Sequence, residues 1–278
     1  MGIQWYPGHM AKTKREIKEV LPLLDLIIEV VDARLPLSSR NPDLPALIKG
    51  KQSILLLNKA DLADPEITSE WIRYYRSLGE VVLDFNAQAG ENLKKLARTI
   101  NEEEKKLTRQ KASLRLGVFG IPNCGKSSVL NRLVGKSAAR VGERPGITRG
   151  RQWVKRERWE ILDTPGILWP KISSQEVGWK LALVGAIKQE IFDLEELAVY
   201  LLGWLQEKYP EGLMDYYSLE QEDEPVKLLE EIGRKRGCLI KGGEIDYSRA
   251  AGLVWSDFRS GRLGRITLEN PPTHSLSQ

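Results

Sequence analysis

The residues from Gly120 to Ser128 read Gly120-Ile121-Pro122-Asn123-Cys124-Gly125-Lys126-Ser127-Ser128, which fits the G-x-x-x-x-G-K-[ST] spacing. Glycines let a backbone bend closely round phosphate oxygens while successive N–H groups point inward and a following helix N-terminus favours the negative charge. Apolar Leu114 to Phe119 precede the segment and Val129, Leu130 and Leu133 follow at helical spacing, so the loop joins a strand to a helix. The expected phosphate contacts are Asn123, Cys124, Gly125, Lys126, Ser127 and Ser128. Lys126 is expected to reach the β- and γ-phosphates, with the Ser127 hydroxyl ligating Mg²⁺.

A carboxylate at a strand end beside such a loop completes a metal site, and Trp159-Glu160-Ile161-Leu162 runs into Asp163-Thr164-Pro165-Gly166. Asp163 is expected to hold Mg²⁺ through water, and the Gly166 N–H to meet the γ-phosphate. Between the two motifs lies Pro145-Gly146-Ile147-Thr148, placed as a first switch, with Thr148 a candidate Mg²⁺ ligand. Asn58-Lys59-Ala60-Asp61 follows the apolar run Ile54 to Leu57 and supplies base recognition. The Asp61 carboxylate can accept from guanine N1–H and the 2-amino group, which adenine lacks. Asn58 can bond the opposite purine edge, and the Lys59 stem can cover the ring. Asn86-Ala87, after the apolar run Val81 to Phe85, is positioned to offer a backbone N–H to the guanine oxygen. GTP and GDP are thus favoured over adenine nucleotides, and Asp61 weighs against an ATPase of another phosphate-loop class.

These motifs need a parallel sheet with helices on both faces. Short apolar runs at Leu26 to Val31, Ile54 to Leu57, Val81 to Phe85 and Leu114 to Phe119 read as buried strands, separated by helical spacing at Ile67 to Leu78 and Leu93 to Lys106. Gln152 to Leu162 reads as two strands joined by a turn, an antiparallel edge. In a Ras-like domain the phosphate loop comes first; here Asn58 to Asp61 precedes it, so the predicted α/β domain is circularly permuted. Such a cut is cheap when every motif sits at a strand end on one sheet edge.

Beyond Pro170 the pattern turns helical. Val177, Leu181, Val184, Ile187 and Ile191 fit one helical face, and further helices are expected at 194–208, 226–236 and 247–259. The predicted organisation is a permuted G domain over 1–172, opening with an N-terminal segment 1–22, then a small all-α domain over 173–269 and a disordered tail over 270–278.

A formal net charge of +4 permits a polyanionic partner, and basic clusters at Lys12 to Lys18, Arg140 to Arg158 and Arg249 to Arg265 suit one, though such runs also serve as plain solvated faces. Cys124 and Cys238 form no CxxC or His-linked set, so the sequence supports neither a disulfide framework nor a zinc site. No apolar run approaches the ~20 residues of a membrane span, and Met1-Gly2-Ile3-Gln4-Trp5 carries no targeting pattern. A cytoplasmic monomer without membrane or DNA partners is expected.

With Trp5-Tyr6-Pro7-Gly8-His9-Met10, Asp32-Ala33-Arg34 and Pro36, the asparagine-lysine motif, the loop bearing Pro122-Asn123, and Asp163 to Gly166 followed by Ile167, the chain resembles the circularly permuted YlqF/RbgA family of ribosome biogenesis GTPases along most of its length. The resemblance implies GTP hydrolysis in late assembly of the large ribosomal subunit, contact with rRNA and stimulation by the particle. Ile167 can neither donate nor accept a hydrogen bond where Ras-like enzymes keep a water-orienting glutamine, and the resemblance nominates His9 for that catalytic task. Related GTPases with asparagine at the Asn123 position use it to help bind K⁺; asparagine also simply tolerates a tight turn. The competing reading is a GTP-dependent RNA- or ribosome-binding scaffold in which hydrolysis is incidental.

Overall fold

The computed structural model describes residues 15, 17–107, 112–135, 139–141, 153–163, 172, 174–219 and 224–272, with backbone alone at 139–141 and 163. These fall into two compact units: 172–266, and the described residues before 172 joined by 267–272.

The first unit is built on seven strands: β1 (Leu26–Asp32), β2 (Gln52–Asn58), β3 (Val81–Phe85), β4 (Leu114–Phe119), β5 (Ala139–Val141), β6 (Trp153–Arg156) and β7 (Trp159–Asp163), in the order β3-β2-β1-β4-β7-β6-β5. From β3 through β7 every neighbouring pair is parallel, whereas β6 runs antiparallel to both β7 and β5. β1 explains its own place. All seven of its residues are buried, as a largely apolar strand is when both sheet faces are covered. The expected strands and the antiparallel edge are present, and β5 is additional to them.

Three helices follow from local signals: α1 (Pro65–Ser77), α2 (Leu93–Lys105) and α3 (Lys126–Val134). At the start of α1, the Asp64 carboxylate accepts the N–H groups of Glu66 and Ile67 at 2.8 and 3.1 Å, and Pro65 fills a position that needs no donor. Trp71 and Tyr75 of α1 pack on Val31, Leu55, Leu57 and Val82. Further along the sheet, Ile27, Phe119, Trp153 and Leu162 pack with Leu44 and Ile48. Leu26, Ile28 and Val30, which alternate to the opposite face of β1, are fully buried too, and α2 packs on β1 and β2 while α3 packs on β4 and β7.

The connectivity locates the ligand crevice. β1 and β4 are parallel neighbours, yet the chain leaves β1 for β2 on one side while β7 flanks β4 on the other. At such a reversal the loops after the two strands diverge and leave a cleft beyond their C-terminal ends.

The second unit is helical: α4 (Gln175–Leu183), α5 (Leu194–Lys208), α6 (Pro210–Tyr217), α7 (Pro225–Lys235) and α8 (Tyr247–Arg259), with α5 packed on α7 and α8. The single helical face expected from Val177 to Ile191 is broken. α4 ends at Leu183, Gly185 takes φ +76°, and Ile191 belongs to a separate 3₁₀ turn, Gln189–Ile191. The Pro210 ring cannot continue α5 but suits the start of α6, a helix not anticipated from periodicity.

The boundary drawn at residue 269 differs from the observed one. Residues 267–269 return to the sheet unit, where Leu268 N donates to Arg34 O at 2.9 Å, Asp64 N to Thr267 Oγ1 at 3.0 Å, and Trp71 Nε1 to Glu269 O at 2.8 Å. These partners lie far away in sequence, so no local pattern announces them. Of the tail expected to be disordered, 270–272 are among the described residues and 273–278 are not.

Candidate functional site

The phosphate loop leaves β4 and enters α3 at Lys126. Two glycines in it are dictated by close approach. A Cβ on Gly120 would lie 2.2 Å from Val30 O, and one on Gly125, at φ +96°, would lie 2.2 Å from Asn58 Nδ2. Asn123 sits at φ +59°, a left-handed conformation that asparagine tolerates better than most residues. Lys126 is buried, and its ammonium donates to Ile121 O at 2.9 Å, curling the loop on itself. Burial pushes the Cys124 thiol up to about 11 despite the neighbouring Lys126 and Lys59 charges, so it stays a neutral packing group at physiological pH.

The asparagine-lysine motif at the end of β2 is hydrogen-bonded directly to this loop. Asn58 Nδ2 donates to Cys124 O at 2.8 Å, while its Oδ1 accepts the Ala87 N–H at 3.1 Å. Lys59, at φ +60°, donates from Nζ to Asn123 O at 2.6 Å and to Asp32 Oδ2 at 2.9 Å. Segments far apart in the chain thus form one wall, Asn58 and Cys124 being 66 positions from each other. Asp61 is exposed on the turn held by Ala60 N to Phe85 O at 3.1 Å and Leu62 N to Lys59 O at 2.9 Å.

The Asn86-Ala87 loop completes that wall. Asn86 Oδ1 accepts from Gln88 N and Ala89 N, both at 3.0 Å. Of the Asn86-Ala87 pair expected to offer a backbone N–H to the guanine oxygen, the Ala87 amide is engaged by Asn58. Arg132 of α3 donates from Nε to Ala87 O at 2.7 Å and from Nη2 to Gln88 O.

Register places two of the residues expected to hold a metal. Asp163 ends β7 opposite Val118 of β4, beside the strand that feeds the loop, and Ser127 lies in the first turn of α3. A carboxylate and a hydroxyl are ligand types that suit Mg²⁺, which takes few protein ligands and keeps waters. The Asp163 side chain, Thr148, Gly166 and His9 lie outside the described residues.

Two residues bonded to these segments were given no chemical role by the sequence reading. Asp32 is fully buried at the end of β1; Arg34 Nε and Nη2 each donate to it at 2.9 Å, alongside Lys59. Burial alone would raise its carboxyl, but the Arg34 and Lys59 charges hold it well below the usual carboxylate range. A carboxylate at the end of a largely apolar strand was the available signal. Arg132 offered none, being one charged residue on a helix.

A separate cavity of about 670 Å³, lined by Lys94, Lys105, Arg156, Arg158 and Trp159 among others, adjoins the start of β7, where Trp159 pairs with Leu114. Because β4 and β7 are parallel, that is the sheet end opposite the phosphate loop. Among the described residues no helix is long and apolar enough to cross a membrane.

Comparison with known proteins adds an independent line. A family model described as "50S ribosome-binding GTPase" matches residues 115–228, starting within β4 and leaving the Asn58 to Asp61 motif upstream, as rotated motif order requires. The ribosome biogenesis GTPase A of Bacillus cereus is 45% identical over 98% of this chain and 95% of its own length. That of Thermotoga maritima is 36% identical over 97% of this chain and 95% of its own. The structure of GNP-bound YlqF from T. maritima superposes with a TM-score of 0.69 at 31% identity, covering 94% of this chain and 99% of that one. Motif content, strand order and near full-length similarity agree, and the chain belongs to the ribosome biogenesis GTPase A family.

Proposed function

We propose that this chain couples GTP hydrolysis to a late step in assembly of the large ribosomal subunit, contacting its rRNA as a cytoplasmic monomer. Membership of the family makes it a GTPase acting in ribosome assembly. The observation that carries the nucleotide half of the reading is the pair of Asn58 hydrogen bonds, to the phosphate loop and to Ala87, which make base and phosphate recognition a single surface. The particle half draws support from the relatives' names and from the family description as a 50S ribosome-binding GTPase.

In this reading Asn58, Lys59, Asp61, Asn86 and Ala87 read the base, and residues 123–128 with Gly166 hold the phosphates. Ser127, Thr148 and Asp163 hold Mg²⁺, whose chemistry is to neutralise charge developing on the phosphates. Asn123 contributes to a K⁺ site, and His9 orients the attacking water. The second reading, a scaffold for which hydrolysis is incidental, rests on Ile167, which cannot position water.

One assay separates them: single-turnover GTP hydrolysis, with and without large-subunit particles, in KCl and in NaCl of equal ionic strength. The switch reading expects stimulation by particles and faster turnover in K⁺. Rates indifferent to particles leave the scaffold, and rates indifferent to the cation remove the K⁺ assignment.

A further inference from the structure

We propose that Arg132 is a positioning residue for base selectivity, fixing the guanine-reading loop to the helix that carries the phosphate ligands; this rests on the reading of residues 58–61, 86–87 and 120–128 as one guanine-nucleotide site. α3 opens with Lys126 and Ser127, and Arg132 lies on the same helix. Its guanidinium reaches out to the loop after β3, Nε donating to Ala87 O at 2.7 Å and Nη2 to Gln88 O. The same group covers Gly90, at φ +82°, where an added Cβ would lie 3.5 Å from Arg132 Cζ.

The chemistry requires arginine. Two successive carbonyls are met by the planar fork of one guanidinium, whereas a lysine ammonium is a point donor at the end of a flexible stem. The loop is otherwise held by Asn58, which takes the Ala87 N–H, and by Asn86, whose Oδ1 takes the Gln88 and Ala89 N–H groups. Asn58 ties the loop to the asparagine-lysine motif and Asn86 ties it to itself; Arg132 ties it to α3. Its two bonds fix the carbonyl orientation of adjacent peptide planes at Ala87 and Gln88, in the loop that this reading places beside the base. Losing them frees the loop to rotate while the phosphate loop keeps its own bonds, Lys126 to Ile121 O and Asn58 to Cys124 O. The loss therefore falls on the base and spares the phosphates.

Binding of GDP and of ADP, the latter by competition against a fluorescent GDP analogue, tests this in full-length parent, Arg132→Ala and Arg132→Lys, with folding checked by thermal melting. ADP shares the phosphate contacts and lacks the guanine oxygen. The expected result is a parent strongly favouring GDP and an alanine variant about tenfold weaker for GDP, the loss appropriate to two hydrogen bonds, with ADP affinity within about twofold of parent. The lysine variant should recover part of the lost selectivity, and GTP turnover should show a raised KM at unchanged kcat. Arg132 is exposed, so the alanine variant should fold; if it does not, a reduced GDP-to-ADP ratio in the lysine variant decides alone. A ratio within about twofold of parent in the folded variants overturns the proposal, including the case where both affinities fall together through a merely structural role. A parent without preference for GDP would instead overturn the nucleotide-site reading beneath it.

Discussion

Burying a carboxylate costs several kcal/mol unless cations meet it, and Asp32 is met by two. Because Lys59 bonds both Asp32 and Asn123 O, the buried charge also braces the phosphate loop. Asp32→Asn should therefore lower unfolding free energy by about 3 kcal/mol, the low end for breaking a buried pair, as measured by urea denaturation at neutral pH. The sign with pH follows from the lowered folded-state carboxyl. Its contribution is complete above the ordinary carboxylate range and is lost only as pH falls through the depressed value, so the gap between parent and variant should persist through mild acid. A gap already closed in mildly acidic buffer would contradict this account. The contrast with the phosphate loop shows what sequence can reveal. The loop's function is encoded in contiguous spacing, whereas Asp32 and Arg132 act through partners 27 and 45 residues away, Lys59 and Ala87.

Elements were legible where burial is periodic and local. β1 to β4 and the β6–β7 edge read directly from apolar residues, and α1 from its helical spacing. The short β5 has too few residues for a pattern, and the apolar rhythm from Val177 to Ile191 concealed the end of α4 at Leu183 and the left-handed Gly185. The least legible element is the returning segment 267–272. Glu269 accepts the N–H groups of Leu37 at 2.9 Å and Ser38 at 3.1 Å, together with the Ser38 hydroxyl, holding the loop that follows Asp32 and Arg34. Glu269→Ala should cost about 1–3 kcal/mol, since hydrogen bonds to a charged group are stronger than neutral ones and two loop amides lose their acceptor. Hydrogen exchange at Leu37 and Ser38 should accelerate in that variant. Unchanged exchange at both amides would show that the segment does not hold the loop.

At the scale of the molecule, rotated motif order is compatible with an ordinary nucleotide cleft because strand positions, not chain order, place the motifs. β4 and β1 meet at the reversal of the sheet; the phosphate loop follows β4, Asp32 ends β1, and Asn58 ends the neighbouring β2. The cut between β7 and β1 leaves each strand end on the same sheet edge. Assigning this from sequence was feasible because every motif is short and complete within its own strand-end loop. The division between the two units was less legible, since 267–272 rejoin the first unit after the helical one.

The central claim is that motifs from separated parts of the chain form one pocket whose base reader is Asp61. An Asp61→Asn substitution exchanges the carboxylate acceptor for an amide, which can donate to the 2-oxo group of xanthine. Competition of GDP and XDP for the site should show the parent favouring GDP by a factor on the order of a hundred or more, and the variant favouring XDP. A variant that still binds nucleotide with the parent's preference for GDP would contradict the account.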